Sequence, residues 1–337
     1  LHETDLLHTL LQTLTDGIAV GSLYALIALG YTLVFGILQF INFAHGDVFA
    51  LGALLSAAMA GWLASHLHLG FVTPLVVALI VPVAAIGACA LVGFCIERFA
   101  YRPLRNAPRL NVLITAIGVS LLMENVGQLH WAFSTLPQPV PVLIPDVVFP
   151  KMSATESPQT MHFHSVDLVI LAVALSLMLL LQMIVFRTRF GTAMRAVSFN
   201  PKAAALMGIN VDQVIALTFV IGSALAGAAG YLFAVKYQTG TLNQPADALW
   251  ILLGMKAFVA AVVGGIGNLR GAMLGGLLIG LVEHFGAAAG GLGQELGLWQ
   301  RSIDTAQFKD VLVFALLILV LLIRPAGLLG KATVEKV

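Results

Sequence analysis

Charge is scarce in this sequence. Only 10% of its 337 residues are Asp, Glu, Lys or Arg, 59% are hydrophobic, and no Lys or Arg occurs before Arg98. Such a chain cannot clothe itself in a wettable surface, which excludes a water-soluble globular domain and leaves lipid as the solvent for much of it. A net charge of +1, with no extended basic face, excludes a nucleic-acid partner. Cysteine is scarce too: Cys89 and Cys95 lie six positions apart on one apolar run. On a helix they occupy different faces about 9 Å apart along the axis, so they do not pair with each other. The first residues contain neither Met nor a Lys/Arg-rich stretch, which speaks against a cleaved secretory leader.

Catalytic signatures are absent as well. "GLLGKAT", ending at Thr333, lacks both the glycine spacing and the Ser or Thr directly after Lys331 that a phosphate-cradling loop needs. No HExxH occurs among the nine histidines, and His66/His68 and His162/His164, spaced i,i+2 at loop edges, read as surface residues. No catalytic residue, metal site or cofactor is expected in this chain.

Long apolar runs are what is present. Each covers roughly 20 residues, enough to cross about 30 Å of hydrocarbon, and the alternating ten-residue segments of a β-barrel are missing. The expected fold is all-α, a polytopic transmembrane helical bundle of eight or nine spans forming a single domain over residues 1–337. Spans are placed near 17–41, 47–66, 71–97, 111–133, 166–186, 213–234, 248–267, 271–289 and 308–324. Arg98, Arg102, Arg105 and Arg109 fill one loop, Arg187, Arg189, Arg195 and Lys202 a second, and Arg324, Lys331 and Lys336 the tail. All three are cytoplasmic by the positive-inside rule. Glu3, Asp5 and Asp16 precede the first span and favour an external amino terminus, so an odd number of spans follows and nine fits. Segment 135–165, with Pro137, Pro139, Pro141, Pro145, Pro150 and Pro158, is an external loop without regular helix. Segment 187–212 is a cytoplasmic loop.

The 33 glycines concentrate in the spans. "GGIGNLRGAMLGGLLIG", residues 264 to 280, holds Gly267/Gly271, Gly271/Gly275 and Gly276/Gly280 at four-residue spacing, which lets backbones approach closely in lipid. Gly264, Gly265 and Gly267 also suit a helix break that offers backbone groups to a polar cavity. Both readings can hold together.

Ionisable groups inside apolar runs are few: Asp47, Glu124, Lys256 and Glu283. A charge at the bilayer centre costs roughly 2.5–3.5 kcal/mol on insertion scales, so each should face protein or water and have a partner. For Lys256 the alternatives are an ion pair with Glu124 or Glu283 and a place on a solute pathway. Glu283 and His284, near the outer end of their span, can snorkel. The turn "NFAHGD" (residues 42 to 47) has no cation, unlike the other inner loops, and so is expected to tuck inward. Gly46 would supply an unusual backbone conformation, and Asn42 or Asp47 would cap the next helix. The functional alternative is that Asn42, His45 and Asp47 line an inner gate. Asn42, His45, Asp47, Glu124 and Lys256 are therefore the candidate pathway residues.

"GSLYALIALGYTLVFGILQFINFAHGDVFALGA" (21 to 53), "ERFAYRPLR" (97 to 105), "GINVDQVIALTFVIGSALAGAAG" (208 to 230), "GMKAFVAAVVGGIGNLRGAMLGG" (254 to 276) and "KDVLVFALLILVLLIRPAGLLG" (309 to 330) resemble the permease subunit of bacterial high-affinity branched-chain amino acid ABC importers, the LivH type. The same permease family includes urea and short-amide importers. The resemblance implies a permease, not an enzyme, that imports leucine, isoleucine or valine across the bacterial inner membrane. It implies a LivM-type second permease, two ATP-binding subunits of LivG/LivF type that carry ATP and Mg, and a periplasmic amino-acid-binding protein. Within 187–212 it implies an ATPase-coupling segment with Arg195, Pro201, Ala204 and Gly208, as a short amphipathic helix after Pro201 ending near Gly208. An ion-coupled secondary transporter using Asp47, Glu124 and Lys256 is the rival class. The topology makes a direct prediction: a cysteine placed at residue 150 reacts with an impermeant thiol reagent from outside intact cells, and one at 105 or 204 does not.

Overall fold

The computed structural model describes residues 2–66, 72–105, 107–147, 164–296, 298 and 304–330. Pro150, Pro158, His68, His162, Lys331 and Lys336 lie outside the described residues. Within them the chain is a bundle of helices: α1 (His2–Leu38), α2 (His45–His66), α3 (Val72–Cys95), α4 (Arg109–Gly127), α5 (Ser165–Arg187), α6 (Arg189–Phe199), α7 (Pro201–Leu206), α8 (Val211–Lys236), α9 (Ala248–Gly264), α10 (Leu269–Glu295) and α11 (Lys309–Ile323). Eight of these segments are long and apolar enough to cross a membrane, and α9, at 17 residues, is the shorter ninth. At 1.5 Å per residue α9 spans about 26 Å, just short of the hydrocarbon core, and it is embedded among other helices. The fourth span ends earlier than expected, at Gly127 rather than residue 133.

Two of the expected loops contain structure. In the 135–165 segment, Gln138–Pro139 (β1) pairs antiparallel with Thr241–Leu242 (β2), a two-residue ladder. The 187–212 segment is two helices, α6 and α7, rather than a loop with one helix. Thr188 and Asn200 start them by accepting hydrogen bonds from Gly191 and Ala203 amides, and Pro201 occupies the first turn of α7.

Lipid gives helices no hydrophobic reason to pack, so close approach must come from small side chains. α1 runs along α10 through Gly17, Gly21, Gly276 and Gly280: a Cβ added at Gly280 would lie 2.3 Å from Gly21 Cα, and one at Gly276 2.4 Å from Ala25 Cα. α2 meets α8 in the same way, with Gly52 and Gly230 against Gly227 and Phe49. α1 and α8 are consequently enclosed, whereas α4 and α11 sit at the periphery with large apolar side chains facing outward.

The ends of the helices sort into two faces. On the basic face, Arg102 and Arg105 pair with Asp212 at the start of α8, and Arg105 also pairs with Glu97. Ser198 of α6 donates to the Gly36 carbonyl, and Arg195 and Arg270 both lie over the Phe186 ring. On the opposite face, Lys236 at the end of α8 reaches Asp16 of α1 at 2.7 Å and Asp167 of α5 at 2.6 Å, next to the β1–β2 ladder. Gly280→Leu is expected to force apart the α1–α10 seam and abolish recovery of monodisperse protein. Gly118→Leu, at a position with nothing within 4 Å of the added Cβ, is expected to keep near-normal yield. Size-exclusion chromatography of detergent-solubilised, fluorescently tagged variants measures both.

Candidate functional site

The turn between α1 and α2 is built inward, though not by the expected means. The left-handed residue is Gln39 (φ 56°), while Gly46 is helical and is small because a Cβ there would meet Gly254 Cα at 3.1 Å. Asn42 does not cap α2 with its side chain. Its buried Oδ1 accepts the hydroxyl of Tyr101 at 2.7 Å, from the π-helical turn Ile96–Tyr101 that ends the third span. His45 is 1% exposed, and its ring meets Tyr31 edge-on at 4.8 Å. Gly30 makes room for that ring: an added Cβ would lie 2.1 Å from Nε2, an atom with no hydrogen-bond partner among the described residues. Asp47 points away from both, accepting the Ser120 hydroxyl of α4 at 2.5 Å.

Two cavities divide the remaining candidates. A lateral cavity of about 560 Å³ between α2 and α4 is lined by Asp47 and Glu124 and otherwise mainly by apolar side chains such as Leu51, Leu54, Val92 and Met123. A second, of about 590 Å³, opens between the ladder strand β2 and helices α1, α8, α9, α10 and α11, on the side away from the basic face. Lys256 lies in its lining, two turns into α9, and is 2% exposed. Its ammonium reaches Glu283 Oε1 at 2.8 Å and Asp310 Oδ1 at 2.5 Å. Tyr24 donates to Glu283 Oε2 at 2.7 Å, and Lys309 lies 3.5 Å from Glu283 Oε1. Glu283 therefore does not snorkel: it is 6% exposed and lies at the centre of the cluster. Of the two partners expected for Lys256, Glu283 is present and Glu124 lines the other cavity. The five pathway candidates are thus split among the α1–α2 turn, the lateral cavity and the ladder-side cavity.

The glycine-rich stretch both packs and breaks. α9 ends at Gly264, and Gly265 (φ 105°) and Gly267 (φ 91°) turn the chain into α10, where Asn268 caps the first amides. A Cβ at Gly271 would lie 2.2 Å from the Gly264 oxygen, and one at Gly275 2.1 Å from the Ala260 oxygen. Carbonyls freed by the break find partners in the tail. Those of Val263 and Gly264 accept the amides of Leu328 and Leu329, and Asn268 donates to the Leu329 carbonyl, so the tail after α11 closes the helix end.

The α6–α7 module presents three bare apolar side chains, Phe199, Leu206 and Met207, at 94%, 89% and 83% exposed. Ala204 packs inward, so an exposed neighbour such as Ala203 is the better labelling reporter. Gly208 adopts φ +81° with open space around it, so its need is for backbone conformation rather than close approach. Arg195 is not a free contact residue: its guanidinium donates to the Val185 carbonyl and lies 5.5 Å from the Phe186 ring centroid, closing the end of α5.

Several polar groups escaped the reading by span. Glu97 is 1% exposed yet sits beside the arginines of "ERFAYRPLR", where it reads as the polar end of the third span. Asp310 stands at the first turn of α11, where a carboxylate reads as helix punctuation. Tyr24, Tyr101 and Ser120 count as apolar or neutral in a hydropathy window. Among the described residues no group of three His, Cys, Asp or Glu is placed to hold a metal ion.

A bundle of apolar, glycine-seamed helices with a few buried charges around cavities defines a polytopic membrane protein. A family model described as branched-chain amino acid transport system / permease component matches residues 13–321, and the chain belongs to that family. It is similar to the high-affinity branched-chain amino acid transport system permease protein BraD of Pseudomonas aeruginosa, at 42% identity over 97% of this chain and 98% of that protein. It is 41% identical to the corresponding permease LivH of Escherichia coli K12, over 97% of both chains. A probable branched-chain amino acid permease of Methanocaldococcus jannaschii is 28% identical over 94% of this chain and 91% of its own length.

The inner turn makes a stability prediction. Tyr101→Phe leaves the Asn42 carboxamide buried without its donor and is expected to cost about 1–3 kcal/mol. A lowered melting temperature in detergent checks this, and an unchanged one shows that the bond contributes nothing.

Proposed function

We propose that this chain is the transmembrane permease subunit of an ATP-driven importer that moves leucine, isoleucine or valine from periplasm to cytoplasm. The observation that carries this reading is likeness over nearly the whole chain, at 41–42% identity, to permeases named for high-affinity transport of branched-chain amino acids. The basic face is cytoplasmic, with the amino terminus periplasmic and the carboxyl terminus cytoplasmic in the bacterial inner membrane. A LivM-type permease completes the pore, two ATP-binding subunits of LivG/LivF type bind ATP and Mg and hydrolyse the nucleotide, and a periplasmic binding protein delivers the cargo. A solute bearing both charges and an aliphatic side chain needs polar groups offered transiently, an apolar wall and no deep binding well.

The α6–α7 module is the dock for an ATP-binding subunit. Apolar side chains as exposed as Phe199, Leu206 and Met207 are what a protein partner covers. Arg195 acts there as a positioning residue, holding α6 against the end of α5.

The test of function is leucine uptake by the reconstituted complex, driven by ATP and persisting when proton and sodium gradients are collapsed. For coupling, Gly208→Val strains the left-handed turn between α7 and α8. It is expected to give an inserted permease whose ATPase subunits dissociate more readily or hydrolyse ATP without stimulation by loaded binding protein. Full stimulated hydrolysis and full uptake at matched subunit ratios would remove the coupling role from this segment.

A further inference from the structure

The ladder-side cavity, the outer one in the proposed orientation, combines features that the lateral cavity lacks. Four charges of two signs meet at Lys256, Glu283, Lys309 and Asp310, and they sum to zero. They come from three helices, α9, α10 and α11, while Tyr24 of α1 holds the second oxygen of Glu283. Lys256 lies eight residues below the start of α9, about 12 Å along its axis, so the cluster forms a recessed floor. Leu23, Ile27, Phe49, Phe233 and Leu253 supply an apolar wall, and the segment Thr239–Asn243 forms the rim. The volume, about 590 Å³, falls in the roughly 300–1,000 Å³ range of small-molecule sites.

We propose that this cavity is a recognition site for the zwitterionic head of the cargo, with Lys256 taking the α-carboxylate, Asp310 and Glu283 the α-ammonium, and the apolar wall the aliphatic side chain. The proposal rests on the function given above and names where that function meets its substrate.

The physical reason is exchange without a change of charge. A buried ion pair broken by removing one partner leaves an uncompensated charge at a cost of several kcal/mol. A zwitterion brings one carboxylate and one ammonium, so each protein charge that gives up a partner receives one of the same sign. The interior stays neutral throughout, and the protein's own pairs re-form when the solute leaves, which prevents a deep well. A singly charged solute cannot do this, since it would leave one member of the cluster unmatched. The lateral cavity fails the same requirement: Asp47 and Glu124 would accept an ammonium but repel the carboxylate beside it.

The exchange also links cargo to helix position. Lys309 and Asp310 tie the outer end of the peripheral α11 to α9 and α10, so a solute that substitutes for those ties loosens α11 as it binds.

The test uses Asn243→Cys at the rim of the otherwise intact complex, reconstituted without binding protein or ATP, and reads its rate of reaction with an impermeant maleimide. Leucine is expected to slow labelling, while 4-methylpentanoate, which lacks the ammonium, and isoamylamine, which lacks the carboxylate, slow it far less. In Lys256→Met/Asp310→Asn, which leaves Glu283 its Tyr24 and Lys309 partners, labelling without solute should be unchanged. The leucine concentration for half-protection should rise about tenfold, corresponding to about 1.4 kcal/mol. Absence of leucine protection in a complex that imports leucine when binding protein and ATP are added overturns the site and spares the function. Equal protection by the two half-analogues, or undiminished leucine protection in the double variant, also overturns it. A complex that imports no leucine under any of these conditions overturns the function and with it the assignment of cargo.

Discussion

Close approach of backbones is the constraint on which the rest of this molecule depends. In lipid a leucine gains nothing by turning from solvent to a neighbouring helix, so contact is stabilised by dispersion and by whatever polar bonds come within reach. The glycines at 17, 21, 276 and 280 bring α1 and α10 together, and those at 46, 52, 227, 230 and 254 set α2 against α8 and α9. Once the axes are this near, short polar bridges become possible. Tyr24 reaches Glu283 across the α1–α10 seam because that seam has no bulky side chains to widen it.

The buried charges follow from the same closeness. A lone lysine in the bundle would be costly, but α9, α10 and α11 converge tightly enough to give Lys256 two carboxylates. The arrangement is asymmetric along the membrane normal. Charges on the ladder side gather around a cavity, whereas Arg102, Arg105, Glu97 and Asp212 at the basic face bind elements to one another.

The α6–α7 module is tied into the bundle at several points. The α6–α7 module is fastened to α1 by Ser198 and to α5 by Arg195, and it runs through Gly208 and the Asn210 cap into α8. α8 in turn packs on α1, α2 and α3 and ends at Lys236, in the lining of the ladder-side cavity. If a partner docks on the exposed apolar side chains of α6–α7 as proposed, its push would reach an enclosed helix that extends to the opposite face.

By itself the sequence determined that this protein lives in lipid, roughly where its nine apolar segments fall, which loops carry the cations, and that Lys256 needs a carboxylate. Each of these depends on composition or on local periodicity, which a chain carries whatever its tertiary contacts. Only the tertiary structure decided which carboxylate answered, because Glu283 and Asp310 stand 27 and 54 positions from Lys256 and meet it through helix packing. The same holds for Asn42, which reads as a cap from its neighbours and is claimed instead by Tyr101, 59 positions away. Gly46 invited a turn conformation and supplied a packing surface, since a glycine's sequence context does not distinguish freedom of backbone from lack of volume. The carbonyls freed at Gly264 find their donors in the tail beyond α11, a contact that no local pattern could announce.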